Sequence, residues 1–368
     1  MSTRPLRLLL GIALAGTALA ALPAGAAGAG AAGSGSFTSG YYPAQGAPGA
    51  RQYWLYVPPG HRSAPRPVVG FLHGCNQTAV QAAAATRLDE LADQRDFVVV
   101  YPQQNVTAPS TAPLADGNGI GCWNWFLPAD QVRGSGEAST IAGLAQWVVD
   151  TEHGDPRRVY VEGISAGADM SVILAAAYPD VFAAAGVIAG CAYAACADAT
   201  GRLAYEAMGP RARLVPLFVE NGSADTVNPL PLAAGLVQSW LGVDSLVETG
   251  SPVSPAVPRT PAATTTYGFG QTPAPGSGDL CIHNDSWTCP GGAIGFRGSY
   301  PYSVSHFTDA GGCDLVDLWA IYGMEHAYPD SPGDGPYTDP LGPDVTQASV
   351  DFFLSHQLGD GCPGRGHR

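Results

Sequence analysis

Ser165 lies in Gly163-Ile-Ser-Ala-Gly167, where the run Tyr160-Val-Glu162 stops and an alanine-rich helical pattern begins. In that setting G-x-S-x-G reads as a nucleophile elbow, a strained strand-to-helix turn. Small residues two before and two after the serine let the chain bend and lift Oγ above the sheet edge. With 48 glycines in 368 residues, the pattern alone is a weak signal. Its single occurrence, at a strand-helix junction, makes Ser165 the candidate nucleophile.

A serine hydroxyl is a poor nucleophile until a base takes its proton, and the base needs an acid to fix its tautomer and stabilise its charge. Around such an elbow the chain order is Ser, acid, His, with acid and base on loops after later strands. Asn221-Gly-Ser-Ala-Asp-Thr-Val227 follows an apolar run, which makes Asp225 the expected acid. Gly323-Met-Glu-His-Ala-Tyr-Pro329 closes the last strand pattern, which makes His326 the expected base. The plainer readings stay open. Asp225 also suits a helix cap, His283 and His306 come late enough to compete with His326, and Glu325 competes as acid. A developing oxyanion needs two N–H donors aimed at one point. They are expected from Ala166, just after the nucleophile, and from Cys75 in His73-Gly-Cys75, where Gly74 lets the backbone turn; an ordinary tight turn is the alternative there.

The elements that must position these residues alternate. Arg51 to Pro58 reads as a strand, Pro67 to Leu72 as a short buried strand, Ala79 to about Arg95 as one helix, and Phe97 to Tyr101 as the next buried strand. Strand, helix, strand in that order implies a parallel sheet. Residues 105–136, rich in Pro, Gly, Asn and Asp, read as a long loop, a kind that is usually functional. Ser139 to Asp150 puts Ile141, Leu144 and Val148 on one helical face, and Arg158 to Glu162 leads into the elbow. Ala168 to Tyr178 reads as a helix, Ala185 to Ala189 and Arg213 to Val219 as strands, and Pro231 to Leu241 as a helix. Pro216 is awkward for a central strand. Residues 245–300 break the rhythm and read as a Pro/Thr/Gly-rich insertion, either lid or surface excursion, with an interdomain linker as the alternative. Tyr302 to Phe307 and Leu315 to Tyr322 are expected strands. Val345 to Gln357 is the closing helix, with Asp344 and Gln347 set as a capping box. The fold class expected is α/β: a mostly parallel sheet with helices on both faces, one catalytic domain over residues 50–357, and a tail from 358 to 368.

Composition removes several kinds of chemistry. All 17 basic residues are arginine, so Ser-Lys dyads, Schiff bases and a Walker lysine are excluded. A net charge of -14 and the lack of a basic cluster argue against nucleic acid or an anionic membrane as partner. Arg4 and Arg7, an apolar segment to about Leu22 and Ala24-Gly-Ala26 have the layout of a secretory signal, so residues 1–26 are expected to be a signal peptide; a membrane anchor is the alternative. Residues 27–49 are expected to be a flexible leader. Eight cysteines in an exported, extracellular chain suggest disulfides, whose pairing the sequence does not give. Cys281, His283 and Cys289 would otherwise suggest part of a zinc site, against which secretion and the spacing argue.

Six separated stretches agree in order with a known family: His73-Gly-Cys-Asn-Gln-Thr78, Cys122-Trp-Asn-Trp-Phe126, Arg133-Gly-Ser-Gly-Glu137, Gly163 to Met170, the Asp225 turn and Gly323 to Pro329. The chain resembles the polyhydroxybutyrate depolymerase and feruloyl/acetylxylan esterase family of secreted α/β hydrolases, over about residues 50–245 and 300–357. The resemblance implies an ester hydrolase with triad Ser165, Asp225 and His326, and with the His-Gly-Cys segment as oxyanion loop. It implies an ester as substrate; no cofactor and no metal are expected, and the charge balance leads to the expectation of neither nucleic acid nor stable membrane association. Glu325 and Tyr328 stand where the family usually has Gly and Trp. A separate binding module is not expected, so oligoesters, or a polymer surface weakly bound by exposed aromatics, are favoured over a dedicated granule hydrolase. Trp123 and Trp125 are expected either to wall the acyl chain or to be core. A Cys75–Cys122 bridge is expected to tie the oxyanion loop to the aromatic loop. A carbohydrate esterase, and a catalytically inactive surface-binding homologue, are the competing readings.

Overall fold

The structure, a computed structural model, describes residues 34–43, 50–60, 64–106, 117–268, 300–331 and 335–359. The expected signal peptide, Cys281, His283, Cys289 and most of the expected tail lie outside the described residues. The chain runs β1 (Ser36–Pro43), β2 (Ala50–Val57), β3 (Arg66–Leu72), α1 (Ala79–Thr86), α2 (Leu88–Arg95), β4 (Val98–Pro102), α3 (Gly136–Thr151) and β5 (Gly154–Ile164). It continues α4 (Ala166–Ala177), β6 (Ala184–Ile188), α5 (Arg202–Met208), β7 (Leu217–Gly222), α6 (Leu230–Thr249) and β8 (Ala263–Tyr267). It closes β9 (Tyr302–Thr308), β10 (Asp314–Ile321), β11 (Tyr328–Pro329), β12 (Thr338–Asp339) and α7 (Val345–Leu354).

A ten-stranded sheet has the order β1-β2-β4-β3-β5-β6-β7-β10-β9-β8. From β4 to β10 neighbours are parallel, and the strands beyond them at each edge are antiparallel. Residues Arg66–Leu72 and Val98–Pro102 are buried throughout, which is why their apolar runs do not alternate: helices cover both faces of a parallel sheet. On one face α3, α4, α5 and α6 enclose a core built on Val68, Leu72, Val161 and Val219. On the other, α1, α2 and α7 close over Val69, Phe71, Tyr160 and Phe218. Among the described residues only α6 is long and apolar enough to cross a membrane, and it packs against α5, β7 and β10.

Several expectations shift. Ser36–Pro43, read as leader, is a strand paired antiparallel with β2, with Phe37 edge-on to Tyr101. The single helix expected over residues 79–95 is two, because Arg87 sits at φ 53 and ends α1 while starting α2. The strand expected from Arg213 starts at Leu217, which leaves Pro216 outside the ladder. The 245–300 insertion is not one unit: α6 runs to Thr249, and Ala263–Tyr267 extends the sheet beside β9. The α7 cap is half of the expected box; Asp344 accepts from the Gln347 N–H, while the Gln347 side chain turns to Asp351.

Candidate active site

Ser165 follows β5 directly and holds φ 58, ψ -123. Two glycines make that conformation attainable. A Cβ on Gly163 would stand 2.5 Å from the Gly167 backbone, and one on Gly167 only 2.1 Å from the Leu72 carbonyl. The turn is held from both sides, with the Ser165 N–H bonded to Ile188 O at 2.9 Å and its carbonyl accepting from Asp169 N–H at 3.0 Å. A non-glycine residue kept at positive φ by surroundings that over-determine it is stored strain, the mark of a functional turn.

Asp225 lies in the turn after β7. The Ser223 N–H donates to Ile321 O and the Ala224 N–H to Met324 O, which sews this turn to the end of β10. Oδ1 accepts from the Val227 and Asn228 N–H groups, both at 2.8 Å, and Oδ2 accepts from His326 Nδ1 at 2.7 Å. Asp225 thus shapes its own turn and orients the imidazole, while α6 begins later, behind Pro229. A carboxylate only accepts, so the His326 proton is on Nδ1 and Nε2 is left as an acceptor. The rivals are engaged elsewhere or turned away. His306 pairs with Asp317 across β9 and β10, and Glu325 is exposed. His283 lies outside the described residues.

Ser165 and His326 line one cavity of about 220 Å³, together with Ile164 and the loop residues Gly74, Cys75, Asn76 and Gln77. Val227, 62% exposed, and Tyr337, 40% exposed, complete its walls. The Tyr337 ring stands edge-on to the His326 imidazole at 5.9 Å. Among the described residues the Cys75 N–H has no protein acceptor. Ala166 opens α4, where first-turn N–H groups lack intrahelical partners. Cys75 is bridged to Cys122, as expected, and a second bridge joins Cys191 to Cys196. Among the described residues, no group of three or more His, Cys, Asp or Glu is placed to hold a metal ion.

The tryptophans need correcting. Trp123 is fully buried, its indole N–H donating to His73 O at 3.0 Å, so it is core that braces the His73-Gly-Cys75 loop and no acyl wall. Trp125 is half-buried against the same core and does not line the cavity. Val227 and Tyr337 stand at the cavity wall instead. Gln77 lay in a motif already singled out, whereas Tyr337 sits in a Pro/Gly/Asp-rich stretch that gave no signal.

Two carboxyls lie behind the site. Glu162, three residues before Ser165, and Glu220, five before Asp225, are both fully buried. Burial pushes Glu162 up from its ordinary 4.5 to about 8, with the Ser349 hydroxyl bond opposing part of the rise. Glu220 is raised well above the carboxylate range by burial first, then by Asp225 and Glu162. Between 4.5 and about 8, folded Glu162 keeps a proton that the unfolded chain has released. Its contribution is therefore full at acid pH and is lost as pH rises through that window. Glu162→Gln, which keeps the shape without the charge, should raise the melting temperature above wild type at about pH 8.5 and match it at about pH 5, the difference being on the order of a few kcal/mol. Parallel melting curves for the two proteins at both pH values would refute this.

A serine on the turn between a central parallel strand and its helix, with base and acid on the ends of strands further along, is the arrangement that defines α/β hydrolases. The fold of a solved acetyl xylan esterase from Aspergillus awamori agrees, with TM-score 0.55 and 19% identity over 86% of this chain and 99% of that one. Residues 51–249 match the Esterase PHB depolymerase family, and the chain belongs to it. Poly(3-hydroxyalkanoate) depolymerase C of Paucimonas lemoignei is 33% identical over 292 residues, which are 78% of this chain and 61% of that protein. Feruloyl esterase B of Thermothelomyces thermophilus is 34% identical over 149 residues, 40% of this chain and 47% of that protein. The chain thus spans about three fifths of the first relative's length and under half of the second's.

Proposed function

We propose that this chain is a secreted serine ester hydrolase that works through an acyl-enzyme and cleaves polyester or oligoester chains of the hydroxyalkanoate kind. The observation that carries the proposal is the Asp225–His326 hydrogen bond at 2.7 Å, with His326 and Ser165 facing one cavity. His326 Nε2 takes the Ser165 proton as Oγ bonds to the ester carbonyl carbon. The oxygen that gains the charge is held by the Cys75 and Ala166 N–H groups. His326 then returns the proton to the leaving alkoxide as the C–O bond breaks, and water repeats the sequence on the acyl-enzyme. Disulfides at Cys75–Cys122 and Cys191–Cys196 support export to an oxidising compartment.

A relative matched over 78% of this chain is a poly(3-hydroxyalkanoate) depolymerase, and a cavity of about 220 Å³ with exposed Val227 and Tyr337 at its walls suits a short, neutral acyl unit. The similarity to a feruloyl esterase sustains a carbohydrate esterase as the second reading. The test is a panel on the purified mature protein: clearing of a polyhydroxybutyrate emulsion and release of hydroxybutyrate oligomers, against release of ferulate or acetate from xylan. Clearing without release from xylan is expected. The reverse pattern would move the assignment to the carbohydrate esterases.

A further inference from the structure

We infer that Gln77 is a positioning residue that, through the two ends of its side-chain amide, keeps the Cys75 oxyanion donor and the Tyr337 wall of the cavity in register. The inference deepens the ester-hydrolase reading and rests on it. Gln77 is buried, 4% exposed, and lines the cavity. Its Oε1 accepts from the Gly74 N–H at 2.7 Å, and its Nε2 donates to the Pro336 carbonyl at 2.9 Å. One partner only donates and the other only accepts, so the amide has a single orientation.

The grip on Gly74 is two-sided. Beyond the side-chain bond, the Gln77 backbone N–H donates to Gly74 O at 3.3 Å. The same carbonyl meets His73 Nδ1 at 2.8 Å, and His73 Nε2 accepts from the Gln104 N–H at 3.0 Å, so the His73 proton is on Nδ1 and donates. Burial drives the His73 pKa down to about 4, which keeps the ring in this neutral form. A planar trans peptide points its N–H opposite to its carbonyl. Two donors on Gly74 O set the direction of the Cys75 N–H, and the Gln77 Oε1 bond to the Gly74 N–H holds the peptide before it, so that Gly74 stays where those donors act; Cys75 lines the cavity. Space is tight as well: a Cβ on Gly74 would meet Gln77 Oε1 at 3.0 Å and Ser165 Cβ at 3.3 Å.

The other end of the amide reaches a segment 259 residues away in sequence. Pro336 precedes Tyr337, which holds φ 59 and whose carbonyl accepts from the Tyr328 N–H at 2.8 Å. A shift of the oxyanion loop and a shift of the tyrosine wall are thus coupled through one side chain. Losing it should affect the rate on any ester and the discrimination between acyl chains together.

The test measures kcat and KM per active site, titrated with a fluorophosphonate, on p-nitrophenyl acetate and octanoate. The proteins are wild type, Gln77→Met, Tyr337→Ala and the double variant. Gln77→Met keeps the volume and removes both bonds. On acetate its kcat should fall about 10- to 100-fold with KM changed less than about 3-fold, since the donor is misplaced and not deleted. Its octanoate-to-acetate ratio should shift as in Tyr337→Ala, with the double variant clearly non-additive. Should Gln77→Met fail to fold, Gln77→Asn, one methylene too short to span both partners, carries the same expectations. An unchanged kcat per titrated site, or additive effects on the ratio, would overturn the inference while the active wild type keeps the hydrolase reading. A wild type that neither turns over nor labels would remove both.

Discussion

Ser165→Ala is expected to lower kcat/KM for a short-chain p-nitrophenyl ester by about four to six orders of magnitude and to abolish covalent labelling by a fluorophosphonate. The remainder would come from binding and from the Cys75 and Ala166 N–H groups, which the substitution leaves in place. Stability should barely respond. The strain at Ser165 is in the backbone, at φ 58, and alanine has the same Cβ. A surface-like change of this kind shifts the melting temperature by no more than about 2 °C. The measurement pairs kinetics with mass mapping of the labelled wild-type peptide. An adduct on a residue other than Ser165, or turnover preserved in the alanine variant, would place the nucleophile elsewhere.

What could be read from the sequence was what local chemistry dictates. The elbow announces itself in its local Gly-x-Ser-x-Gly spacing, and two clashes make its glycines obligatory: a Cβ on Gly163 would meet the Gly167 backbone at 2.5 Å, and one on Gly167 the Leu72 carbonyl of the neighbouring strand at 2.1 Å. The buried strands announced themselves because two covered faces demand a continuous apolar run, as over residues 67–72. Chain order then brought Asp225 and His326 to the same end of the sheet. What stayed hidden depends on pairing and backbone conformation that residue type does not announce. Ser36–Pro43 is a strand because β2 offers it an edge, and Ala263–Tyr267 is an exposed outer strand with no buried face to imprint a period. Arg87 breaks a helix-forming run with a left-handed residue that is neither glycine nor asparagine. Aromatic type placed Trp123 near the loop that matters but not on which side of it; its indole bond to His73 O turns it inward. Tyr337 lines the cavity on a segment whose Pro336 and Tyr337 carbonyls accept from Gln77 and Tyr328, contacts that its own sequence does not announce.

Asp225→Asn should cost about 10⁴-fold in kcat while leaving KM and the melting temperature close to wild type. Three bonds to the carboxylate decide the outcome. In the asparagine variant the amide oxygen still serves the Val227 and Asn228 N–H groups, now bonded at 2.8 Å each, so the turn survives. That choice leaves the amide NH₂ facing His326 Nδ1, and an NH₂ group donates. The imidazole must then carry its proton on Nε2, where it can no longer receive one from Ser165. Asp225→Ala removes the acceptor for both backbone N–H groups as well. A group left unsatisfied in a buried site costs about 1–3 kcal/mol; around the exposed Val227 water recovers part of that, so the alanine variant should lose a smaller but measurable amount of stability along with activity. The contrast separates orientation from scaffolding: asparagine inactive but as stable as wild type, alanine inactive and less stable. If Asp225→Asn kept more than about a tenth of the wild-type kcat, the tautomer of His326 would not depend on this carboxylate, and another group would have to be orienting the base.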